Sequence, residues 1–200
     1  MAMLRGEADR LVEPYLERLY GVILDAWGGL GRYRRDLPIM SRRSRASLVR
    51  DFMLENALRE FGNVRGVVPL TRGGRFFLVF GGRLFVQLKK FNRRGRPSNY
   101  LTAQAKNIID QRQGELFEEH QNITFATAGY KLNRLETQIE EVAIACHEGQ
   151  AELWVLDMPN DPSGDQPTTS RSITPPPPPL SRIVRREPET PQRQARRGDG

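Results

Sequence analysis

The run from Arg75 to Phe91, RFFLVFGGRLFVQLKKF, decides how the chain is read. Two aromatic and β-branched stretches flank Gly81-Gly82, and a two-residue hairpin turn needs the positive φ that glycine adopts without strain. In the second stretch Leu84, Val86 and Leu88 alternate with Arg83, Phe85, Gln87 and Lys89. That period of two predicts one apolar and one mostly polar strand face. Gly73-Gly74 repeats the turn signal, and Val64 to Leu70 supplies an earlier strand, so the block reads as a three-stranded antiparallel meander.

Upstream the period lengthens to that of helices. Leu11, Tyr15, Leu19 and Ile23 recur every four residues, with Val12, Leu16, Tyr20 and Trp27 beside them, which predicts a helix with Pro14 in its first turn and a stop near Gly28-Gly29. A basic connector follows, with Arg32, Arg34, Arg35, Arg42, Arg43 and Arg45 against Asp36 alone. A second helix is expected from Ser44 or Ser47, burying Leu48, Val49, Phe52, Met53, Ala57, Leu58 and Phe61, and closed by Gly62-Asn63 in a left-handed conformation. Downstream of the meander, Ser98 or Asn99 caps an expected helix with Leu101, Ala105, Ile108 and Ile109 on its face. Strands over Ile123 to Leu132, Gln138 to Cys146 and Glu152 to Met158 form a further three-stranded meander.

The predicted class is therefore α+β: two N-terminal helices, a three-stranded meander, a helix and a second meander. Residues 1–160 are expected to form a single basic domain, with an N-terminal helix and basic connector over 1–43 and an α/β core over 44–160. Residues 161–200, with Pro175 to Pro179 and six later arginines, have too little apolar surface to fold and read as a disordered Pro/Arg-rich tail.

Charge is uneven along the chain. The net charge is +7, yet residues 61–109 alone hold ten bases and no acid, while residues 110–160 hold three bases and ten acids. Exposed faces ordinarily mix signs, so an acid-free stretch of this length favours an anionic partner. The densest part, Lys89, Lys90, Arg93, Arg94 and Arg96, runs into the helix start at Ser98 and Tyr100. Arginine forks, backbone N–H groups at a helix start and a ring that can stack on a base all suit nucleic acid. These seven residues are the candidate phosphate-contacting set, and with no base-reading motif the expected binding is non-specific. An acidic protein is the alternative partner, docking as on a toxin, regulator or other assembly through the basic face or the polyproline tail. No apolar run approaches the roughly 20 residues of a membrane span. The acid-bearing start does not resemble a signal peptide, and the single cysteine, Cys146, fits a reducing compartment, so the expected location is the cytoplasm.

Catalytic features are few. Gly73-Gly74 and Gly81-Gly82 lack the Lys-Ser or Lys-Thr of a phosphate loop, and Cys146 and His147 are neighbours that a strand would turn to opposite faces. The expectation is a non-enzymatic accessory protein with no catalytic residue, no metal and no cofactor. One resemblance bears on catalysis. The helix, three strands, helix, strand order of residues 44–132, with Gln87-Leu88-Lys89 in the third strand, is similar to the core of PD-(D/E)xK nucleases, whose Mrr-like branch reads Q-x-K there. The resemblance implies that Lys89 polarises a phosphate or attacking water and that Gln87 sits beside a metal. It also implies an acidic metal ligand in or just before the second strand, and nothing between Glu60 and Asp110 is acidic.

Overall fold

The computed structural model describes residues 2–36, 41–98, 107–108, 110–111 and 122–158, with backbone alone for 33–36. The architecture is α+β: helices α1 (Arg5–Val12), α2 (Leu16–Asp36) and α3 (Arg42–Phe61) precede a six-stranded mixed sheet. Its strands are β1 (Val67–Arg72), β2 (Arg75–Phe80), β3 (Leu84–Lys90), β4 (Thr124–Leu132), β5 (Ile139–Glu148) and β6 (Ala151–Asp157), lying in sequence order. Every neighbouring pair is antiparallel except β3 and β4, which run parallel from Leu84↔Thr124 to Lys90↔Tyr130. A parallel pair requires a crossover, supplied here by the residues between Lys90 and Thr124. Of the helix expected there, most lies outside the described residues, and residues 107 and 108 are helical. The expected tail over 161–200 also lies outside them.

Both Gly-Gly turns form as their sequences predict, with φ of 56° and 71° at Gly73 and Gly74 and of 55° and 69° at Gly81 and Gly82. The helices depart further from expectation. α2 does not stop at Gly28-Gly29 but runs on to Asp36, and it starts after a short 3₁₀ turn, Glu13–Tyr15, that takes up Pro14. The reason is packing: a Cβ on Gly29 would lie 3.3 Å from the Phe52 ring of α3, so glycine here permits close helix approach rather than ending the helix. The connector is consequently short, because Arg32, Arg34 and Arg35 belong to α2 and Arg42, Arg43 and Arg45 to α3. α3 begins earlier than expected because Ser41 caps it, its hydroxyl accepting from Ser44 N–H at 3.0 Å. Leu58, expected in the core, is 52% exposed, and Gly62 closes the helix in a right-handed conformation with φ −56°.

The sheet is buried on both faces. On one, Leu19, Ile23, Met53 and Phe61 of the helices pack against Leu78, Phe80, Leu84, Val86 and Tyr130. On the other, Phe77, Val79, Phe85, Ile123 and Phe125 form a second cluster, with Ile108 packed against it. The expectation of a mostly polar second face on β3 is therefore corrected, since Phe85 and Gln87 are both buried. Residues beyond the meander supply that cover, and Phe77, Phe85 and Phe125 pack edge-on or tilted with centroids 5.9 to 6.1 Å apart. Trp154 is core as expected, and its indole N–H donates to Met3 O at 2.9 Å.

Candidate nucleic-acid interface

β3 carries its final residues past the edge of the core, and alternation sends Lys89 and Lys90 to opposite sides of the sheet. Beyond them the chain makes a tight excursion. Phe91 bridges Pro97, Asn92 N–H donates to Arg96 O at 2.8 Å, and the Asn92 carboxamide oxygen accepts from the backbone N–H of Arg94 at 2.8 Å and of Arg96 at 3.1 Å. An asparagine closing its own turn in this way needs a residue of positive φ to complete it, and Gly95 supplies 73°. The loop is thus held by its backbone, leaving Arg93 and Arg94 exposed.

A groove of about 230 Å³ lies beside this loop. Lys90, Arg93 and Ser98 line it from the candidate set, joined by Arg42 of α3 and by Lys131 and Arg134 from β4 and the turn after it. Five cations from three separate stretches of sequence therefore face one depression, with Glu136 among them as the acid. The Glu136 carboxylate receives Lys90 Nζ at 3.0 Å, Arg45 Nη2 at 3.3 Å and Arg42 Nε at 3.4 Å. The hydrogen bond from Lys90, followed by the charges of Arg42 and Arg45, holds this carboxyl below the ordinary range for glutamate. Glu136 reaches the position through an unusual backbone, φ 55°, in a turn organised by Asn133, whose side-chain oxygen accepts from Thr137 N–H at 2.9 Å. Lys131 pairs with Glu141 at 2.5 Å, while Arg93 and Arg134 make no side-chain hydrogen bond or ion pair among the described residues.

The other members of the candidate set lie elsewhere. Arg96 turns away and binds Gln150, with Nη2 donating to the backbone carbonyl at 2.5 Å and Nη1 to the side-chain oxygen. It fixes the loop to the β5–β6 turn instead of facing the groove. Arg94 does not line the groove, and Tyr100 lies outside the described residues. Ser98 donates its N–H to Lys90 O at 3.0 Å, and the helix it was expected to start is outside the described residues. Arg42 was legible in the sequence only as part of a basic connector that could extend the surface, and Lys131 and Arg134 were missed because distance along the chain conceals them. The available signal was that Lys131 and Arg134 are two of only three bases in the acidic 110–160 segment.

Lys89 occupies different surroundings. With Gln87 and Leu88 it lines a recess shared with Arg75 and Phe76 of β2 and Arg50 and Leu54 of α3. Burial first, then the charges of Arg75 and Arg50, push its ammonium down to about 8. The nuclease resemblance implies an acidic ligand at or before β2, and the residue opening β2 is Arg75. Among the described residues no group of three His, Cys, Asp or Glu side chains is placed to hold a metal ion. Cys146 is fully buried and its thiol is pushed up to about 12, by burial and then by Glu148, which is the condition of a structural cysteine. No helix of the described residues is long and apolar enough to cross a membrane. Comparison of the chain with protein-family models, with curated proteins and with solved structures gives no match, so the groove and the recess stand on their own geometry.

Proposed function

We propose that the chain is a non-enzymatic nucleic-acid-binding accessory protein of the cytoplasm, holding phosphates along the groove lined by Arg42, Lys90, Arg93, Lys131 and Arg134. The observation that carries this reading is convergence: three stretches of sequence deliver five cations to one depression, and Arg93 and Arg134 are left without side-chain partners among the described residues. Cations set at intervals along a groove suit a polyanion with regularly spaced charge better than a single small ion. Among the described lining residues the carboxamides of Asn92 and Asn133 are taken up by their own turns, which supports binding through the backbone rather than sequence readout.

Neutralising about five phosphates predicts that log K falls with log salt at a slope of about −4.5 on duplex DNA. Fluorescence anisotropy of a labelled duplex over a salt series measures it, and no binding at low salt would retire the proposal. A second reading has one observation in its favour. Glu136 already sits as a carboxylate among Arg42, Arg45 and Lys90, so an acidic protein segment is a chemically reasonable occupant. A protein that co-purifies with the chain after nuclease treatment, and dissociates when Arg93 and Arg134 are replaced, would favour that reading. The nuclease reading keeps a simple check, magnesium- or manganese-dependent cleavage that disappears in Lys89→Ala.

A further inference from the structure

We propose that the recess at the open end of the β2–β3 pair is a second, separate site that binds one phosphate group directly, without a metal. The β2–β3 register runs from Phe80↔Leu84 to Leu78↔Val86 and ends there, although β2 begins at Arg75 and β3 continues to Lys90. The unpaired ends leave a cavity of about 40 Å³, with Phe76, Leu88 and Leu54 as apolar walls. One water needs roughly 10–15 Å³ of this space, so the cavity accommodates about three oxygen-sized atoms. That suits the oxygens of a terminal phosphate and is too small for a base or a sugar.

Its polar lining is one-sided. Among the described lining residues Arg50, Arg75 and Lys89 contribute three cations and none is acidic, and the Arg50 guanidinium has an exposed pairing with Asp51 at 3.4 Å. The independent observation is Gln87. The residue is 5% exposed, it lines the recess, and its amide Nε2 has no hydrogen-bond partner among the described residues. A buried donor without an acceptor is destabilising, and a phosphate oxygen is an acceptor of the right size and charge. The polarity also opposes a divalent cation, which needs oxygen ligands, so this is the reverse of the metal centre that the nuclease resemblance implies. The recess shares no described lining residue with the groove.

The test uses the full chain and inorganic phosphate. Phosphate at pH 7 should raise the melting temperature above that in chloride of equal ionic strength, and isothermal titration should give a Kd unaffected by EDTA. Gln87→Glu, which puts a carboxylate of nearly the same shape in the recess, should weaken binding at least tenfold. Arg75→Gln, at the start of a strand, should do the same and serves if the first variant does not fold. The control variant Arg18→Ala, at an exposed arginine of α2 that lines neither the recess nor the groove, should bind inorganic phosphate as the parent does. The proposal is overturned if phosphate stabilises the parent no more than chloride does, or if it stabilises Gln87→Glu and Arg75→Gln equally well. Oligonucleotides then distinguish the source. A tenfold preference for a 5′-phosphorylated over a 5′-hydroxyl strand, lost in Arg75→Gln, identifies a nucleic-acid end, whereas phosphate binding without that preference identifies a small phosphate ester.

Discussion

Burial pushes the Lys89 ammonium down to about 8, with Arg75 and Arg50 adding repulsion, whereas its neighbour Lys90 makes a 3.0 Å ion pair with Glu136. The difference has a thermodynamic sign. Between about 8 and the ordinary lysine value of 10.5 the unfolded chain binds more protons at residue 89 than the folded one, so this residue makes stability rise with pH across that window. Below pH 8 the full penalty is present. Lys89→Met is therefore expected to stabilise the protein by up to ~3 kcal/mol at pH 7, with the gain shrinking towards zero above pH 10.5. Urea unfolding of parent and variant at pH 7 and at pH 10.5 checks this, and a pH-independent gain would mean the charge is not the cause. Glu136 has the opposite sign. Its carboxyl is held down, so its contribution is present above the unfolded value of 4.5 and lost as pH falls through the folded one. Glu136→Gln should cost about 1–2 kcal/mol of stability. It should also tighten duplex binding several-fold at low salt by releasing Arg42, Arg45 and Lys90, as read in the same anisotropy assay. Weaker binding would instead make Glu136 an organiser of those cations.

Among the elements, the hairpins were legible because a Gly-Gly pair between strand-like runs has few other readings, and both turns carry the positive φ that calls for glycine. The end of α2 was not legible from the same residue type. Glycine marks helix ends because of its freedom and close packing because of its size, and Gly29 serves the second purpose against Phe52. Which face of β3 is covered also lay beyond local pattern, because Ile123 and Phe125, which bury Phe85, belong to a distant segment. The candidate site divides in the same way. Lys90, Arg93 and Ser98 could be read from one charge-dense stretch, whereas Arg42, Lys131 and Arg134 enter only through the tertiary fold. Gly129 gives an element-scale test, for a Cβ there would lie 1.9 Å from Lys89 O, across the parallel β3–β4 pair. Gly129→Ala must move backbone rather than a flexible side-chain tip and should cost about 3 kcal/mol or more, seen as a lower urea midpoint. A loss below about 0.5 kcal/mol, the scale of an ordinary surface substitution, would show that the two strands separate readily.

Over the whole molecule, the acid-free block is not left entirely without counter-charge. Glu136 meets Lys90, and Glu7 of α1 meets Arg83 at 2.6 Å, so carboxylates from both chain directions return to it. What distinguishes the groove is the combination of remaining cations with shape, and this makes a prediction that separates it from a simple count of charges. Arg93→Ala combined with Arg134→Ala should flatten the salt slope by about 1.8. Arg96→Ala, which removes the same charge per residue but a link to Gln150, should leave the slope within about 0.3 of the parent. Equal losses per arginine would place the contact on the loop at large. The parallel β3–β4 pair has a consequence of another kind. Each half of the sheet is built from strands adjacent in sequence, so each closes with short loops, while Leu84–Lys90 finds Thr124–Tyr130 only across an intervening stretch of more than thirty residues. Such distant closure is the slow event in assembly. The two meanders should therefore form early and independently, and the seam between them, where Lys90 meets Tyr130, should close last, so that the groove spanning that seam first exists at the end of folding.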